Sequence, residues 1–320
     1  MVFLIKKMIS ENVFSSKGEK DMRVVNIGSL NIDKTYTVRQ FVQPKETIKA
    51  IGYAEFCGGK GLNQSVALAK AGAEVWHAGA VGGDGEMLIK MLREAGVHTE
   101  LIEQKPGPSG HAVIQVNADG QNNIIIYGGA NDSISAEYIV SVLAQFGEGD
   151  LLLLQNEVSN IDFAMEEAKK RGMQVAFNPS PLNEKIGACR LELVDYFLLN
   201  EVEGKAMAGT ESEEPDVILR ALHMRFPNAA FVLTLGENGA YFAGGGEEIY
   251  QKIYPVETVD TTGAGDTFCG YFIAGLAKKL DYPAILKRAS AASALAVSRR
   301  GAAPSVPAAK EVSDFIRERS

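Results

Sequence analysis

The segment Val24-Val25-Asn26-Ile27-Gly28-Ser29-Leu30-Asn31-Ile32-Asp33 opens on a nearly unbroken apolar run, expected as one strand from Val24 to Leu30, and closes on two polar side chains spaced two apart. A strand that is apolar on both faces must be covered on both, the condition of a parallel sheet flanked by helices. Residues 151–154, 175–177, 196–199 and 231–235 read the same way. Helical stretches lie between them, at 62–71, 85–95, 136–145, 161–171 and 217–225. Strand alternating with helix predicts a doubly wound α/β fold, a mainly parallel sheet with right-handed crossovers. In such sheets ligands bind at the carboxyl ends of the strands.

Two stretches break the alternation. Residues 34–56 have β character and no helix, and 110–127 read as a hairpin around Ala118-Asp119-Gly120. Together they predict a small sheet of four or five strands, too small for a core of its own and so placed to cover something. With Asn31 and Asp33 at its root, it reads as a lid. The expected division is an N-terminal extension at 1–22, mobile before a natural start at Met22-Arg23, then an α/β domain (23–33, 57–109, 128–320) and the β lid (34–56, 110–127). A last helix is expected at 284–298, a hairpin turn at Gly244-Gly245-Gly246, and a solvated acidic loop at 211–216.

With 46% hydrophobic and 22% charged residues over 320 positions, the chain has ample core material. A net charge of −8 argues against a nucleic-acid or anionic-membrane surface. Cys57, Cys189 and Cys269 form no CxxC pair, and the four histidines show no ligand spacing, so a reduced, cytoplasmic protein is expected. No apolar run reaches the roughly 18 residues of a membrane span.

Two glycine-rich entries into helices carry the chemistry. In Val259-Asp260-Thr261-Thr262-Gly263-Ala264-Gly265-Asp266-Thr267-Phe268, a short extended stretch yields to glycines, an acid and an apolar helix over 268–280. Unpaired N–H groups and the dipole make such a start an anion site, and Asp266 beside it is either a general base or a dipole-favouring acid. The second entry is Gly58-Gly59-Lys60-Gly61-Leu62-Asn63-Gln64. It is no Walker A loop, since Gly61 rather than Ser or Thr follows Lys60. Neither entry has the dinucleotide fingerprint, and no serine lies in a GxSxG elbow. Asn31 and Asp33 share one face of an extended chain and could hold vicinal hydroxyls or mark a turn.

On these two entries and the Asn31/Asp33 pair the chain resembles the ribokinase family of sugar kinases, within the phosphofructokinase-B superfamily, from about Arg23 to the C-terminus. The resemblance implies that Asn31, Asp33, Gly58, Gly59, Lys60, Asn63 and Glu157 hold the sugar. It implies that Asp266 is the base, with Gly263, Ala264 and Gly265 as the anion hole. Asn200, Thr234, Gly236, Asn238, Gly239, Gly265 and Ser290 would contact ATP, and Glu203 would order Mg²⁺ through water. Ser290 stands where relatives often carry His or Asn, a departure at the adenine. Asp260, Thr262, Ala296, Arg299, Gly301 and Ser305 match a K⁺ site built largely from backbone carbonyls. The expected reaction is ATP-dependent phosphorylation of a sugar hydroxyl, the 5-hydroxyl of D-ribose above a deoxyribose, hexose or nucleoside. A sugar sensor without chemistry is the rival from another class, against which the intact Gly263, Gly265 and Asp266 stand. A homodimer paired through the lid edge is expected.

Overall fold

Neighbouring residues of the first strand enter opposite cores: Val24 packs into one hydrophobic cluster, Val25 and Ile27 into the other. The same split separates Leu151 and Leu153 from Leu152 and Leu154. Side chains alternate across a strand, so a sheet with helices on both faces needs apolar residues at every position. Each such side chain contributes roughly 1.5–3 kcal/mol when fully buried.

The structure, a computed structural model, describes residues 22–319. With elements numbered in chain order, its larger sheet holds β1 (Val24–Ile27), β4 (Val75–Val81), β5 (His98–Gln104), β8 (Leu151–Gln155), β9 (Gln174–Asn178), β10 (Tyr196–Asn200), β11 (Ala230–Thr234), β12 (Ala240–Gly244) and β13 (Glu247–Gln251). The order is β13-β12-β11-β10-β9-β8-β1-β4-β5. Every pairing is parallel except the edge meander β11-β12-β13, where Gly245 and Gly246 make the expected hairpin turn. Helices α1 (Lys60–Lys70), α2 (Glu86–Glu94), α7 (Ala264–Ala277), α8 (Tyr282–Val297) and α9 (Ala309–Glu318) cover one face. The other face carries α3 (Ala136–Leu143), α4 (Ile161–Lys170), α5 (Glu201–Ala208) and α6 (Pro215–Arg225).

The small sheet has four strands among the described residues, in the order β3-β2-β6-β7: β3 (Gly52–Gly58), β2 (Asn31–Thr37), β6 (Gly110–Val116) and β7 (Asn122–Tyr127). Its first strand corrects a boundary. The run expected as one strand to Leu30 ends at Ile27, and the chain leaves the main sheet through Gly28-Ser29-Leu30. The expected divisions at 33/34 and 56/57 therefore fall inside β2 and β3. The helix at 284–298 is not the last, because α9 follows, with Val312 and Phe315 buried three positions apart and charged residues around them. The acidic loop ends at Glu214, since Pro215 takes the first turn of α6, where a missing N–H costs nothing. The N-terminal extension, apart from Met22, lies outside the described residues. Among the described residues no helix is long and apolar enough to cross a membrane.

Candidate active site

Gly263 precedes α7 in the left-handed region at φ 74°, and a Cβ there would stand 2.9 Å from the Ala302 backbone. Glycine alone meets both conditions without strain. No side chain caps α7; the Ala264 N–H is taken by the Thr261 carbonyl at 3.2 Å, and the Gly265 and Asp266 amides, with the positive end of the dipole, are left for a ligand. Asp266, buried in that turn, accepts a hydrogen bond from Gln64 Nε2 on Oδ1 and one from Asn63 Nδ2 on Oδ2, each at 2.9 Å. Both donors come from α1, so the two glycine-rich helix starts meet at one carboxylate.

Lys60, at the start of α1, lies beside this carboxylate. Asp266 is the main reason the Lys60 ammonium has its pKa raised, against the opposing effect of burial. The Lys60 N–H donates to Glu157 Oε2 at 3.0 Å, and Ser29 Oγ bonds the same oxygen. Burial raises the pKa of Glu157, while the Ser29 and Lys60 contacts oppose it. Asp33, on β2, is pushed up to about 6 by burial and then by the charge of Glu157. It lies against Gly58, where a Cβ would come within 2.2 Å of Asp33 Oδ2. Asn31 accepts from Asn131 Nδ2 at 2.7 Å, which orients its amide. Gly59, at φ 93°, caps α1 with backbone alone. The residues expected on the sugar side are thus brought together.

A cavity of about 260 Å³ runs from Lys60 and Asp266 past Gly263–Gly265 to Asn178, Asn200, Glu203 and Thr234. Asn200 caps α5: its Oδ1 accepts the Glu203 N–H at 2.9 Å, and Glu203 Oε2 accepts the Asn200 N–H at 3.0 Å. A second cavity of about 630 Å³ shares Thr234, Thr261, Ala264, Gly265 and Phe268 with the first and reaches Gly236, Gly239 and Ser290. Its outer wall, Ile253 to Val256, is apolar, as suits a flat ring. Asn238 is not in this wall; its carbonyl accepts from Tyr250 Oη at 3.1 Å. A carboxylate, an uncapped helix start and a long two-chambered groove can together take a proton from a hydroxyl and hold a polyphosphate in line with it.

Behind this groove Asp260 ties two loops together, accepting the Thr262 N–H on Oδ1 and the Gly301 N–H on Oδ2, both at 2.9 Å. Burial pushes its pKa up, but these bonds outweigh it and hold it below the ordinary value. Ala296, in the last turn of α8, and Ser305 flank the second of these loops, while the Arg299 guanidinium turns away to Glu311. Sequence reasoning assigned no role to Gln64 or Asn131; each is a plain amide whose partners lie far along the chain.

The pfkB family carbohydrate kinase profile matches residues 21–309. The chain is 31% identical over 302 residues to a ribokinase of Haemophilus influenzae, covering 91% of this chain and 97% of that one. It is 32% identical over 302 residues to a deoxyribokinase of Salmonella typhi, covering 92% and 99%. The structure of Arabidopsis thaliana ribokinase complexed with ribose and ATP superposes with a TM-score of 0.81 at 29% identity, over 93% of this chain and 99% of that one.

Proposed function

Since this chain belongs to the pfkB family of carbohydrate kinases, we propose that it transfers the γ-phosphoryl group of ATP to the 5-hydroxyl of D-ribose. The observation that carries the reading is Asp266, seated in the first turn of an uncapped helix and held on both oxygens by α1. Asp266 takes the hydroxyl proton as the sugar oxygen attacks phosphorus. The new P–O bond forms as the bond to the ADP oxygen breaks, and ADP leaves. The N–H groups of Gly263, Gly265 and Asp266 stabilise charge on the transferring group. Asn31, Asp33, Gly58, Gly59, Lys60, Asn63 and Glu157 hold the sugar, and the lid excludes water, a competing nucleophile. Asn200, Thr234, Gly236, Gly239 and Ser290 line the way for the nucleotide. Glu203 keeps Oε1 free of the capping box, which suits the water-mediated contact that Mg²⁺ favours. That ion supplies neutralisation of phosphate charge.

A deoxyribose-preferring enzyme is the second reading, favoured by the equally high identity to a deoxyribokinase. A coupled ADP-release assay over ribose, deoxyribose, fructose and adenosine decides. The highest kcat/KM is expected with ribose, and a preference for another acceptor overturns the choice of sugar.

Asp33 gives this reading a pH signature. Below pH 6 its carboxylate gains a proton and loses an acceptor for the sugar. We expect kcat/KM for the sugar to fall about tenfold per pH unit below an apparent pKa near 6, and this limb to vanish in Asp33→Asn. A limb unchanged in that variant refutes the assignment.

The Asp260 loops fit a monovalent cation: one carboxylate pins two strands of backbone whose carbonyls K⁺ favours. Gly263 packs on Ala302 of the second loop, so the cation would brace the anion hole. Turnover in K⁺ is expected to exceed that in Na⁺ alone, and indifference to the cation removes this site.

The lid leaves Tyr53, Phe56, and Ile124 to Tyr127 exposed, with Ile125 at 68%. Tyr53 and Phe56 lie on β3 and the isoleucines on β7, the opposite edge of the sheet, and we assign the β7 edge to pairing with a second copy. Ile125→Glu is expected to give a monomer by light scattering, whereas an unchanged mass places the contact elsewhere.

A further inference from the structure

Gln64 sits fully buried where two strands of the larger sheet, β8 and β9, meet the start of α7. Its Nε2 donates to Asp266 Oδ1 at 2.9 Å and to Asn178 Oδ1 at 3.1 Å, and its Oε1 accepts from Gln155 Nε2 at 2.7 Å. A side-chain amide can be turned end for end, so its direction is decided by its partners. Here the partners decide it twice. Backbone carbonyls only accept. Asn26 must therefore turn its NH₂ to the Gly61 carbonyl, at 2.8 Å, and its Oδ1 to Gln155. Gln155 must answer with its own NH₂, 3.0 Å from Asn26 Oδ1, and the same nitrogen faces Gln64, which can only present Oε1. From the opposite side, Asn178 gives its NH₂ to the Leu198 carbonyl at 2.9 Å, so its Oδ1 faces Gln64 and asks for a donor.

The chain extends to a histidine. Asn26 Nδ2 donates to Ser65 Oγ at 2.9 Å, Ser65 Oγ lies 2.8 Å from His77 Nδ1, and His77 Nε2 lies 3.2 Å from the Gly28 carbonyl. That carbonyl requires hydrogen on Nε2, which leaves Nδ1 to accept the serine proton. Asn26, Gln64, Ser65, His77 and Gln155 are all 0% exposed, so water offers no alternative partners.

We infer that Gln64 is a positioning residue of the phosphoryl transfer: a buried hydrogen-bond network, donating outward from the Gln155 NH₂ to Asn26, Ser65 and His77 on one side and to Gln64 on the other, keeps an N–H and not a carbonyl against Asp266 Oδ1. The inference rests on the reading of Asp266 as proton acceptor. With Asn63 holding Oδ2, Gln64 sets the plane of the carboxylate. An end-for-end turn would place oxygen against oxygen. The other charged or titratable groups around Asp266 are Lys60 and Glu157, with Glu203 beyond them, and the buried Cys269 thiol donates to Gln64 Oε1 at 3.4 Å.

Gln64→Glu keeps the shape and replaces the donor with an acid. We expect kcat at pH 7 to fall about tenfold or more, and the acid limb of the kcat profile to move up by about one pH unit or more, as for carboxylates sharing a site. Sugar KM is expected to stay within about threefold, since Gln64 is not among the sugar-holding residues. Gln64→Met removes the donor without adding charge and is expected to lower kcat without moving that limb. A folded Gln64→Glu enzyme with its acid limb in place, or a folded Gln64→Met enzyme with wild-type kcat, overturns the inference. Neutron diffraction from deuterated wild-type crystals needs no variant. Deuterium is expected on the Gln64 atom facing Asp266, and on Nε2 but not Nδ1 of His77; the reverse pattern overturns the inference. Failure of the Asp266 reading is seen separately, as turnover retained in Asp266→Asn.

Discussion

The Asp266→Asn enzyme is expected to turn over about 10²–10⁴-fold more slowly than wild type while binding sugar within a few-fold of the same affinity, the usual cost of removing a positioned base. Two physical consequences follow from its partners. Asn63 and Gln64 each point an N–H at the wild-type carboxylate. The new side chain offers one acceptor and one NH₂, so one of those donors meets another donor. The unmatched contact costs about 1–3 kcal/mol of stability. The variant should therefore melt earlier than wild type yet titrate with sugar calorimetrically as a folded protein. A folded Asp266→Asn enzyme with near-wild-type kcat in the coupled assay would falsify the assignment of the base.

Asp33→Ala is expected to raise the sugar KM by about 10–100-fold, the loss of hydrogen bonds to a charged acceptor. The effect on kcat is expected to be smaller, because Asp33 lies on the lid strand β2 rather than at the transferring group. Stability should move the other way. The folded-state pKa of Asp33, about 6, stands above its ordinary 3.8, so the folded protein binds more protons between those values. Stability therefore declines as pH rises through that window, and above it the folded state carries an unfavourable buried charge. Removing the carboxylate relieves that burden. The apo variant is expected to melt no lower than wild type at pH 8. A raised KM together with a lower melting temperature would mean a damaged lid, not a lost contact. Gly58→Ala is expected to reproduce the KM effect, since its Cβ would displace the same carboxylate.

The layered architecture was legible in the chain because its signals are local. Unbroken apolar runs such as Leu151 to Leu154 specify strands covered on both faces, and each helix between them announces itself within a few turns. The two glycine-rich helix starts, after Gly59 and after Gly263, were legible for the same reason, as turn and capping signals of a few residues. Elements with weaker local signals were less legible. β4 carries a histidine and a glycine in its middle, and α9 buries only Val312 and Phe315.

From the sequence alone came the alternation of strands and helices, the two glycine-rich helix starts and the membership these imply. Tertiary structure alone decided which side chains would meet. Asn63 and Gln64 precede Asp266 by 203 and 202 residues, and Asn131 follows Asn31 by 100. No periodicity spans such distances; these pairs exist because parallel strands bring their carboxyl ends to one edge, however much chain lies between them. The departure of Asn31 and Asp33 from the main sheet was settled in the same way, by the pairing of β2 with β3 and β6. The direction of the Gln64 amide belongs with it, since only the assembled interior supplies the carbonyls that dictate it.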